Sequence, residues 1–504
     1  MRGRVTSMKH LILLTISLFL CAATAHAEDR GAAVEGDVDN GQTSYLKRCS
    51  QCHGVDGKAD GPAAEFMFPR PRVFANNNSY KVRTTNNESL PTDWDLFDII
   101  SKGLPGSSMP GFAGLPEQER WDLVAFVKSL SEDFEDEDEE RIVEEALFIP
   151  SPEVTDALLA RGKELFVNSK CASCHGENGL GNAKEWDKQK DTWGNPILAK
   201  NLHDKESFRG GHQPYDLYRL LTTGYKGTPM PVFPFEDDND RWALAHYVLT
   251  ISAPVKAQRD ETIRAIMVNK IPTDGSSEGW NAAPVARFKT MSNVVEPPRL
   301  FWSSVEYVNV QAVYSKHEVA LRIQWDDRSN SKGTDLDTEY KDLDTTIYAG
   351  TKHPDQFAVQ FPARNQNPSV RPYFMMGDSK RAVNMWRWAA HTDKFVETNA
   401  KGFATQKNQP ESSQSIMGKV TFDDGRYTMV VRRTLVTDDP KKDIQFKSGD
   451  FVPVMFHVWD GERGNLGQRR SFTTWSWLQL TPPIPNYVQY VPYGTFGVSF
   501  ILLL

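Results

Sequence analysis

The motif CxxCH occurs twice in this sequence, at 49–53 and at 171–175. Two thiols one helical turn apart can add to the two vinyl groups of one porphyrin, while the adjacent imidazole reaches the iron from the same side. A single motif would also be consistent with a redox-active thiol pair. We expect two covalent c-type haems. The attachment cysteines and axial histidines are Cys49, Cys52 and His53 in the first motif and Cys171, Cys174 and His175 in the second.

The residues around the two motifs indicate one repeated unit. Each motif is followed, at almost the same distance, by a Met-Pro pair, at Met109 and at Met230. A segment whose apolar residues recur at helical spacing then closes each copy. The repeat argues against a chance match and predicts two tandem helical domains. A glycine and an aromatic residue four positions apart precede each motif, Gly41 and Tyr45 in the first copy and Gly162 and Phe166 in the second.

Length and composition leave room for a further domain. A chain of 504 residues is long enough for about three domains, and 39% hydrophobic residues, with 11% aromatic, suffice for packed cores. The net charge of −8 argues against a nucleic-acid partner, which would favour a basic surface. We attribute this charge to solubility.

The first 27 residues have the pattern of a secretory signal peptide. A basic start precedes an apolar run and the small-residue cleavage site Ala-His-Ala at 25–27. Of the five cysteines, Cys21 lies in this segment and the other four belong to the CxxCH motifs. No thiol is left for a disulfide in an exported chain, so the cysteines are expected to serve haem alone. We expect localisation in the periplasm, with membrane association as an option.

The second half has a different periodicity. Between 299 and 483, stretches such as VALRIQWDD and FVPVMFHVWDG alternate between apolar and polar residues, as is typical of β-strands, and turn residues separate them. Several such strands predict an antiparallel β-sandwich. The expected fold class is therefore multidomain α plus β, with two small all-α domains followed by an antiparallel β-sandwich.

These patterns predict the boundaries of the segments. The acidic run that starts at Glu132 favours a solvated linker, although a docking surface for a basic redox partner is the alternative. The predicted segments are a signal peptide at 1–27, a first haem domain at 28–131, an acidic linker at 132–152, a second haem domain at 153–255, a polar linker at 256–298, a sandwich at 299–483 and an uncharged apolar tail at 484–504.

The tail combines tyrosines with a final apolar run. Tyr487, Tyr490 and Tyr493 precede it, and tyrosines of this kind often lie at a membrane interface. The run is shorter than the ~20 residues that span a bilayer. It therefore predicts shallow membrane contact or a truncated chain, with packing on the sandwich as the alternative.

The two helical units resemble class I cytochrome c domains. The resemblance rests on the Gly-aromatic first helix, CxxCH, the Met-Pro loop and the aromatic last helix. In that family the methionine sulfur is the second axial ligand, which implies Met109 and Met230 in this chain. Imidazole and thioether would fill both axial positions and favour ferrous iron, so electron transfer is expected rather than catalysis. The alternative for either methionine is a buried core side chain.

The β-rich region resembles the haem b-binding γ subunit of ethylbenzene dehydrogenase and its relatives in the type II DMSO reductase family. The strings that carry the resemblance are FAVQFPAR, PYFMMGDSKRAVNMWRW and VWDGERGNLGQRRSFTTWSWLQL. In that family an axial methionine and an axial lysine hold haem b, which exchanges electrons with an iron–sulfur subunit and a molybdenum catalytic subunit.

The resemblance implies Met376 as the haem b ligand, with Met375 facing the opposite way. At the position of the family lysine this sequence has arginines, in 468–471, and arginine stays protonated and is not expected to bind iron. His391 and His457 are alternative nitrogen donors, although a single histidine is more often a packed residue.

These features predict a periplasmic multihaem electron-transfer protein, the γ-like cytochrome subunit of an oxidoreductase complex. Its expected cofactors are two haems c and, by resemblance, one haem b. Its expected partners are a molybdenum catalytic subunit, an iron–sulfur subunit and other c-type cytochromes or membrane redox carriers. We expect no catalytic activity of the chain by itself. One alternative is a di-haem cytochrome whose sandwich binds carbohydrate or a partner. The other is a di-haem peroxidase, which would need an exchangeable ligand position on one iron.

Overall fold

A computed structural model describes residues 32–483 with several gaps. The predicted signal peptide, most of the acidic run and the tail at 484–504 lie outside the described residues. The gaps are 68, 75–79, 81, 87–88, 136–142, 185–187, 195–196, 253–256, 259–261, 302, 334–351 and 365–369.

The described residues up to 252 form two sets of four α-helices in the same order, joined by loops and short 3₁₀ turns. No helix in the described ranges is both long and apolar enough to cross a membrane. The first set is α1 (Val38–Arg48), α2 (Ser50–His53), α3 (Asp93–Lys102) and α4 (Glu117–Ser129). The second set is α5 (Asp156–Asn168), α6 (Ala172–His175), α7 (Pro214–Thr223) and α8 (Asp238–Ile251).

The first and last helices of each set cross at a glycine. A Cβ atom on Gly41 would lie 2.0 Å from the carbonyl oxygen of Asp122, and a Cβ on Gly162 would lie 2.1 Å from that of Ala243. Only a residue without a side chain allows the two backbones to approach so closely. The glycines of the repeat are therefore explained by helix packing.

Aromatic stacking joins the third helix of each set to the last one. Phe97 stacks on Trp121 with ring centroids 4.2 Å apart, and Tyr218 stacks on Trp242 at 4.1 Å. All four side chains are buried. Each unit thus has its own small core, which holds the helices around the CxxCH motif.

The second half is a sheet structure, with fifteen strands in the described residues. The strands are β1 (Ala257–Gln258), β2 (Thr262–Met267), β3 (Val285–Lys289), β4 (Met291–Ser292), β5 (Tyr307–Tyr314), β6 (Glu318–Asp326), β7 (Gln356–Pro362), β8 (Val383–Ala389), β9 (Lys394–Ala400), β10 (Lys407–Asn408), β11 (Met417–Asp423), β12 (Arg426–Thr434), β13 (Phe451–Trp459), β14 (Ser471–Phe472) and β15 (Ser476–Leu480).

The main strands follow the hydrogen-bonded order β10-β9-β8-β7-β13-β15-β2-β5-β6-β12-β11, and this path folds into two facing layers. Trp325 on β6 stacks on Phe357 of β7 at 4.5 Å, and Tyr427 on β12 lies 5.5 Å from Trp388 of β8. Neither pair belongs to hydrogen-bonded strands, so these rings meet across the interior of a sandwich. The expected fold class is confirmed. Most strand pairs are antiparallel, but β15–β2, β2–β5 and β1–β3 are parallel.

The prediction of a linker at 256–298 is wrong, because this segment supplies strands to the sandwich. Strand β2 lies between β15 and β5, and its Ile263 and Ala265 are fully buried. The Pro-, Gly- and Ser-containing stretch that suggested a linker is the loop between β2 and β3, and even there Trp280 is fully buried. Six residues of β2 form too short an alternating pattern to stand out next to that polar loop.

Candidate functional site

Each CxxCH motif forms a helical turn directly after the first helix of its unit. The amide of His53 donates to the carbonyl oxygen of Cys49 at 2.9 Å, and the amide of His175 donates to that of Cys171 at the same distance. This turn puts the two cysteines one helical turn apart and the histidine next to the second. All four cysteines are free thiols. The local geometry is the one that thiol addition to one porphyrin requires.

Both motif histidines are oriented through Nδ1. The Nδ1 atom of His53 lies 3.0 Å from the carbonyl oxygen of Arg72, and that of His175 lies 3.0 Å from the carbonyl oxygen of Lys200. A carbonyl oxygen only accepts, so Nδ1 carries the proton and Nε2 keeps its lone pair for a metal. Burial lowers the pKa of both imidazoles, so they are neutral at pH 7, the form that binds metal.

The two Met-Pro loops are closed by the same hydrogen bonds. In the first unit the amide of Met109 donates to Ser107 Oγ at 3.2 Å, and its carbonyl oxygen accepts from the amide of Leu104 at 3.2 Å. The hydroxyl of Ser107 also donates to the carbonyl oxygen of Leu104 at 2.6 Å. These bonds hold the methionine backbone close to the end of the third helix. The second unit repeats the three bonds and their distances with Tyr225, Thr228 and Met230.

In the second unit the predicted ligands share one cavity of about 410 Å³. Its lining includes Cys171, Cys174, His175 and Met230, and most of the remaining residues are apolar. Two thiols can add to the vinyl groups of a porphyrin, and an imidazole nitrogen and a thioether are donors that its iron takes. The chemistry of this cavity therefore fits a covalently attached haem.

The two residues that accept the histidine hydrogen bonds also connect the domains. The guanidinium of Arg72 lies over the ring of Trp193 in the second unit, 4.3 Å from its centroid. Lys200 Nζ pairs with Glu306 of the sandwich at 2.6 Å. In each unit, therefore, a single residue contacts both the motif histidine and the next domain. Sequence reasoning missed both residues, because no motif marks them. A longer comparison of the two units could have found Arg72 and Lys200. In both units the residue lies two positions before an apolar residue, and the backbone amide of that apolar residue donates to the carbonyl oxygen of a glycine after the motif.

Further polar contacts hold the second unit on the sandwich. Arg287 pairs with Asp204 at 3.0 Å. The guanidinium of Arg328 donates to the carbonyl oxygens of Gly181 and Ala199 at 3.2 and 3.3 Å. The amide of Gly181 in turn donates to the carbonyl oxygen of the motif histidine in the same unit. The loops around that histidine therefore pack directly on the sandwich.

The sandwich does not place Met376 as the resemblance implied. Met376 is fully buried among apolar side chains, and its Sδ accepts a hydrogen bond from Gln406 Nε2 at 2.8 Å. The neighbour Met375 faces the family lysine position instead, where Arg470 Nη2 lies 3.7 Å from Met375 Sδ. A porphyrin cannot lie between two groups in direct contact. As folded, Met376 does not face Arg470, and Met375 and Arg470 leave no room for a porphyrin between them.

The alternative nitrogen donors are also placed unfavourably for a haem. Arg470 Nε donates to Nδ1 of His457 at 3.1 Å, and Nε2 of His457 lies 3.1 Å from Gln360 Oε1. Burial and the charges of Arg470 and Arg387 lower the pKa of His457 well below its ordinary value, so its neutral ring uses both nitrogens in hydrogen bonds. His391 lies exposed in a turn after β8.

Comparisons with known proteins agree with this division of the chain. The cytochrome c family model matches residues 38–131 and 159–252, and the ethylbenzene dehydrogenase model matches 277–415. A Haloferax mediterranei protein named as respiratory nitrate reductase heme subunit ORF7 is 28% identical over 220 residues, which cover 44% of this chain and 72% of that protein. Cytochrome c of Sesamum indicum is 33% identical over 103 residues, covering 19% of this chain and 92% of that protein.

Among solved structures, one chain of the Kuenenia stuttgartiensis reducing HAO-like protein complex Kustc0457/Kustc0458 is 36% identical, with a TM-score of 0.41. The match covers 44% of this chain and 99% of that chain.

Replacing Glu306 tests the link between the sandwich and the second candidate haem site. Burial raises the pKa of Glu306, but the charge and hydrogen bond of Lys200, together with the charge of Arg328, lower that pKa below its ordinary value, so the carboxylate is ionised at neutral pH. In Glu306→Gln we expect the midpoint potential of the second haem to rise by on the order of 50 mV, because a partly buried negative charge stabilises ferric iron. This shift corresponds to roughly 1 kcal/mol. The measurement is a spectroelectrochemical titration.

The matched control is Glu318→Gln, at the start of β6, which removes an ion pair with Arg432 in the same sandwich. This control should leave both potentials unchanged. An equal shift of both haems in Glu306→Gln, or no shift of either, would contradict the link.

Proposed function

This chain belongs to the cytochrome c family, with two such domains followed by an ethylbenzene dehydrogenase-type domain, and we propose that it is the electron-transfer subunit of an oxidoreductase complex. One observation carries the proposal. In both units a pair of thiols, an imidazole with its Nε2 left available and a methionine loop recur in the same geometry.

In this proposal each of the two helical units attaches one haem and supplies both ligands of its iron. The covalent haems supply reversible one-electron chemistry between ferric and ferrous iron. Cys49, Cys52, His53 and Met109 would hold the first haem, and Cys171, Cys174, His175 and Met230 would hold the second. Methionine and histidine together would leave no iron position for peroxide or another substrate, so the peroxidase alternative is not favoured.

The contacts between domains support a relay in chain order. Arg72 joins the first haem domain to the second, and the Lys200–Glu306 pair joins the second domain to the sandwich. Side chains that connect the histidine anchors with the neighbouring domains hold the two sites in fixed positions. Fixed positions favour electron transfer, because the groups that surround the iron need little rearrangement.

The sandwich is proposed to dock the chain to its partners. The resemblance of its sequence to γ subunits of ethylbenzene dehydrogenase implies a molybdenum catalytic subunit and an iron–sulfur subunit as those partners, and other c-type cytochromes or membrane carriers as the next redox step. The nitrate reductase name of the Haloferax relative agrees with a respiratory complex. We propose a periplasmic location, because the sequence starts with a signal-like segment and its cysteines serve covalent haem.

Removing either methionine tests the axial ligands. With both iron positions filled, the reduced wild-type protein should not bind carbon monoxide. Met109→Ala and Met230→Ala should each bind one carbon monoxide per chain, because the loss of the thioether opens one position. The measurement is the absorbance change of the reduced protein during titration with carbon monoxide.

Met417→Ala is the control for this titration, since Met417 is 48% exposed on β11 of the sandwich. It should behave as the wild type does. Rapid binding of carbon monoxide to both centres of the wild type would refute the proposed ligation.

Haem content tests whether the sandwich carries a third redox group. The contacts Met376–Gln406 and Met375–Arg470 fill the implied haem b site, so we expect two haems c per chain and no haem b. A pyridine haemochrome assay counts the covalent haems, and acidic acetone extracts any non-covalent haem. Cys52→Ala and Cys174→Ala should each reduce the proportion of haem held by two thioether bonds. One extractable haem b per chain would show that the sandwich rearranges around a porphyrin.

Purification of the native complex tests the proposed partners. A tagged full-length chain isolated from its host should bring down a large subunit with molybdenum, detected by metal analysis, and iron–sulfur clusters, detected by electron paramagnetic resonance. The same tag on an unrelated periplasmic cytochrome c is the control. Isolation of the chain alone from both soluble and membrane fractions would count against the assignment as a complex subunit.

A further inference from the structure

Three buried aspartates meet at one end of the sandwich. Asp327 follows β6, Asp355 precedes β7 and Asp460 follows β13, and they are 3%, 1% and 2% exposed. Strands β7 and β13 are antiparallel neighbours, so the start of one lies beside the end of the other, and β6 reaches the same end from the facing layer. One carboxylate oxygen of each residue lies within 4.8 Å of the others. We call these three residues the aspartate cluster.

The hydrogen bonds around the aspartate cluster leave acceptors without donors. Asp327 Oδ1 accepts from the amide of Ser329 at 3.1 Å, but Asp327 Oδ2 is buried and has no hydrogen-bond partner in the described part of the chain. The backbone amide of Asn465 donates to the carbonyl oxygen of Asp460 at 3.2 Å. The side-chain Oδ1 of Asn465 is also buried and has no hydrogen-bond partner among the described residues. Buried oxygen atoms of this kind need a hydrogen-bond donor or a cation.

Asp355 is bonded on both of its oxygens. Oδ1 accepts from the amide of Gly461 at 2.8 Å, and Oδ2 accepts from the amide of Ser331 and the hydroxyl of Tyr427, both at 2.7 Å. These bonds fix the carboxylate in place. Each oxygen has more than one lone pair, so the same atoms can also bind an ion.

The charges at the aspartate cluster favour a cation. Three buried carboxylates lie within 4.8 Å of one another, where like charges repel strongly. The guanidinium groups of Arg328 and Arg463 act on these carboxylates, but they are two positive charges against three carboxylates. A bound cation would relieve the repulsion between the carboxylates.

We propose that the aspartate cluster binds one calcium ion, with oxygen atoms of Asp327, Asp355 and Asp460 as ligands and the side-chain oxygen of Asn465 as a further candidate. All of these donors are hard oxygens, and no histidine or cysteine belongs to the group found here. Calcium accepts six to eight oxygens at about 2.3–2.6 Å, so two ligands of one ion lie up to about 5 Å apart. Magnesium prefers shorter bonds and keeps several waters, which suits a buried protein cage less well.

The position of this site gives the ion a structural effect on electron transfer. Asp327 directly precedes Arg328, whose guanidinium holds two backbone carbonyls of the second haem domain. An ion on Asp327 therefore fixes the end of the sandwich on which that domain packs. Its loss should loosen this interface while the covalent haems stay attached.

The test uses the full-length haem-loaded protein after dialysis against EDTA and then against chelator-free buffer. Calorimetric titration with calcium chloride should show one site per chain, and calcium should raise the thermal unfolding temperature more than the same concentration of magnesium. In Asp327→Asn the calcium affinity should fall at least tenfold. Asp423→Asn, which neutralises an exposed aspartate at the end of β11, is the control and should bind as the wild type does.

A second variant distinguishes the loss of calcium binding from misfolding. Asn465→Ala should keep the haem absorbance spectrum and the unfolding temperature without calcium, and it should bind calcium more weakly than the wild type. The proposal is overturned if the chelated wild type takes up no calcium and its unfolding temperature does not respond. Unchanged affinity in Asp327→Asn would overturn it as well, because calcium would then bind outside the aspartate cluster.

Discussion

The hydrogen bond from each motif histidine to a backbone carbonyl is the interaction on which the rest of the first half depends. It fixes the proton on Nδ1 of His53 and His175, and so leaves the lone pair of Nε2 available for a metal. The loops that supply the carbonyls must then lie beside the motif turn. The glycine crossings and the methionine loops recur alongside these bonds with nearly equal distances in both units.

The same loops determine how the domains are joined. Arg72 and Lys200 use their carbonyls inside their own unit and their charged side chains outside it, on Trp193 and on Glu306. A single residue thus connects each interface with a histidine anchor. The sandwich lies beside the second haem site through Lys200, whose carbonyl and side chain make these two contacts.

The sandwich matches the ethylbenzene dehydrogenase model over 277–415, and a buried arginine organises the polar groups in its second layer. The guanidinium of Arg470 donates to His457 and contacts Met375. A permanently charged, buried guanidinium needs acceptors around it. The surroundings of Arg470 are therefore determined by the hydrogen bonds that this one side chain requires.

The amino-acid sequence alone determined the haem-attachment motifs, the repeat and the class of each half, because these depend on short-range spacing. Helical and alternating periodicities reflect contacts a few residues apart, so they were visible without a structure. Only the tertiary structure decided that β2 is an inner strand, that Met375 rather than Met376 faces Arg470, and that Asp327, Asp355 and Asp460 meet. These three outcomes depend on which distant strands become neighbours and on which face each side chain lies, and a local pattern carries neither kind of information.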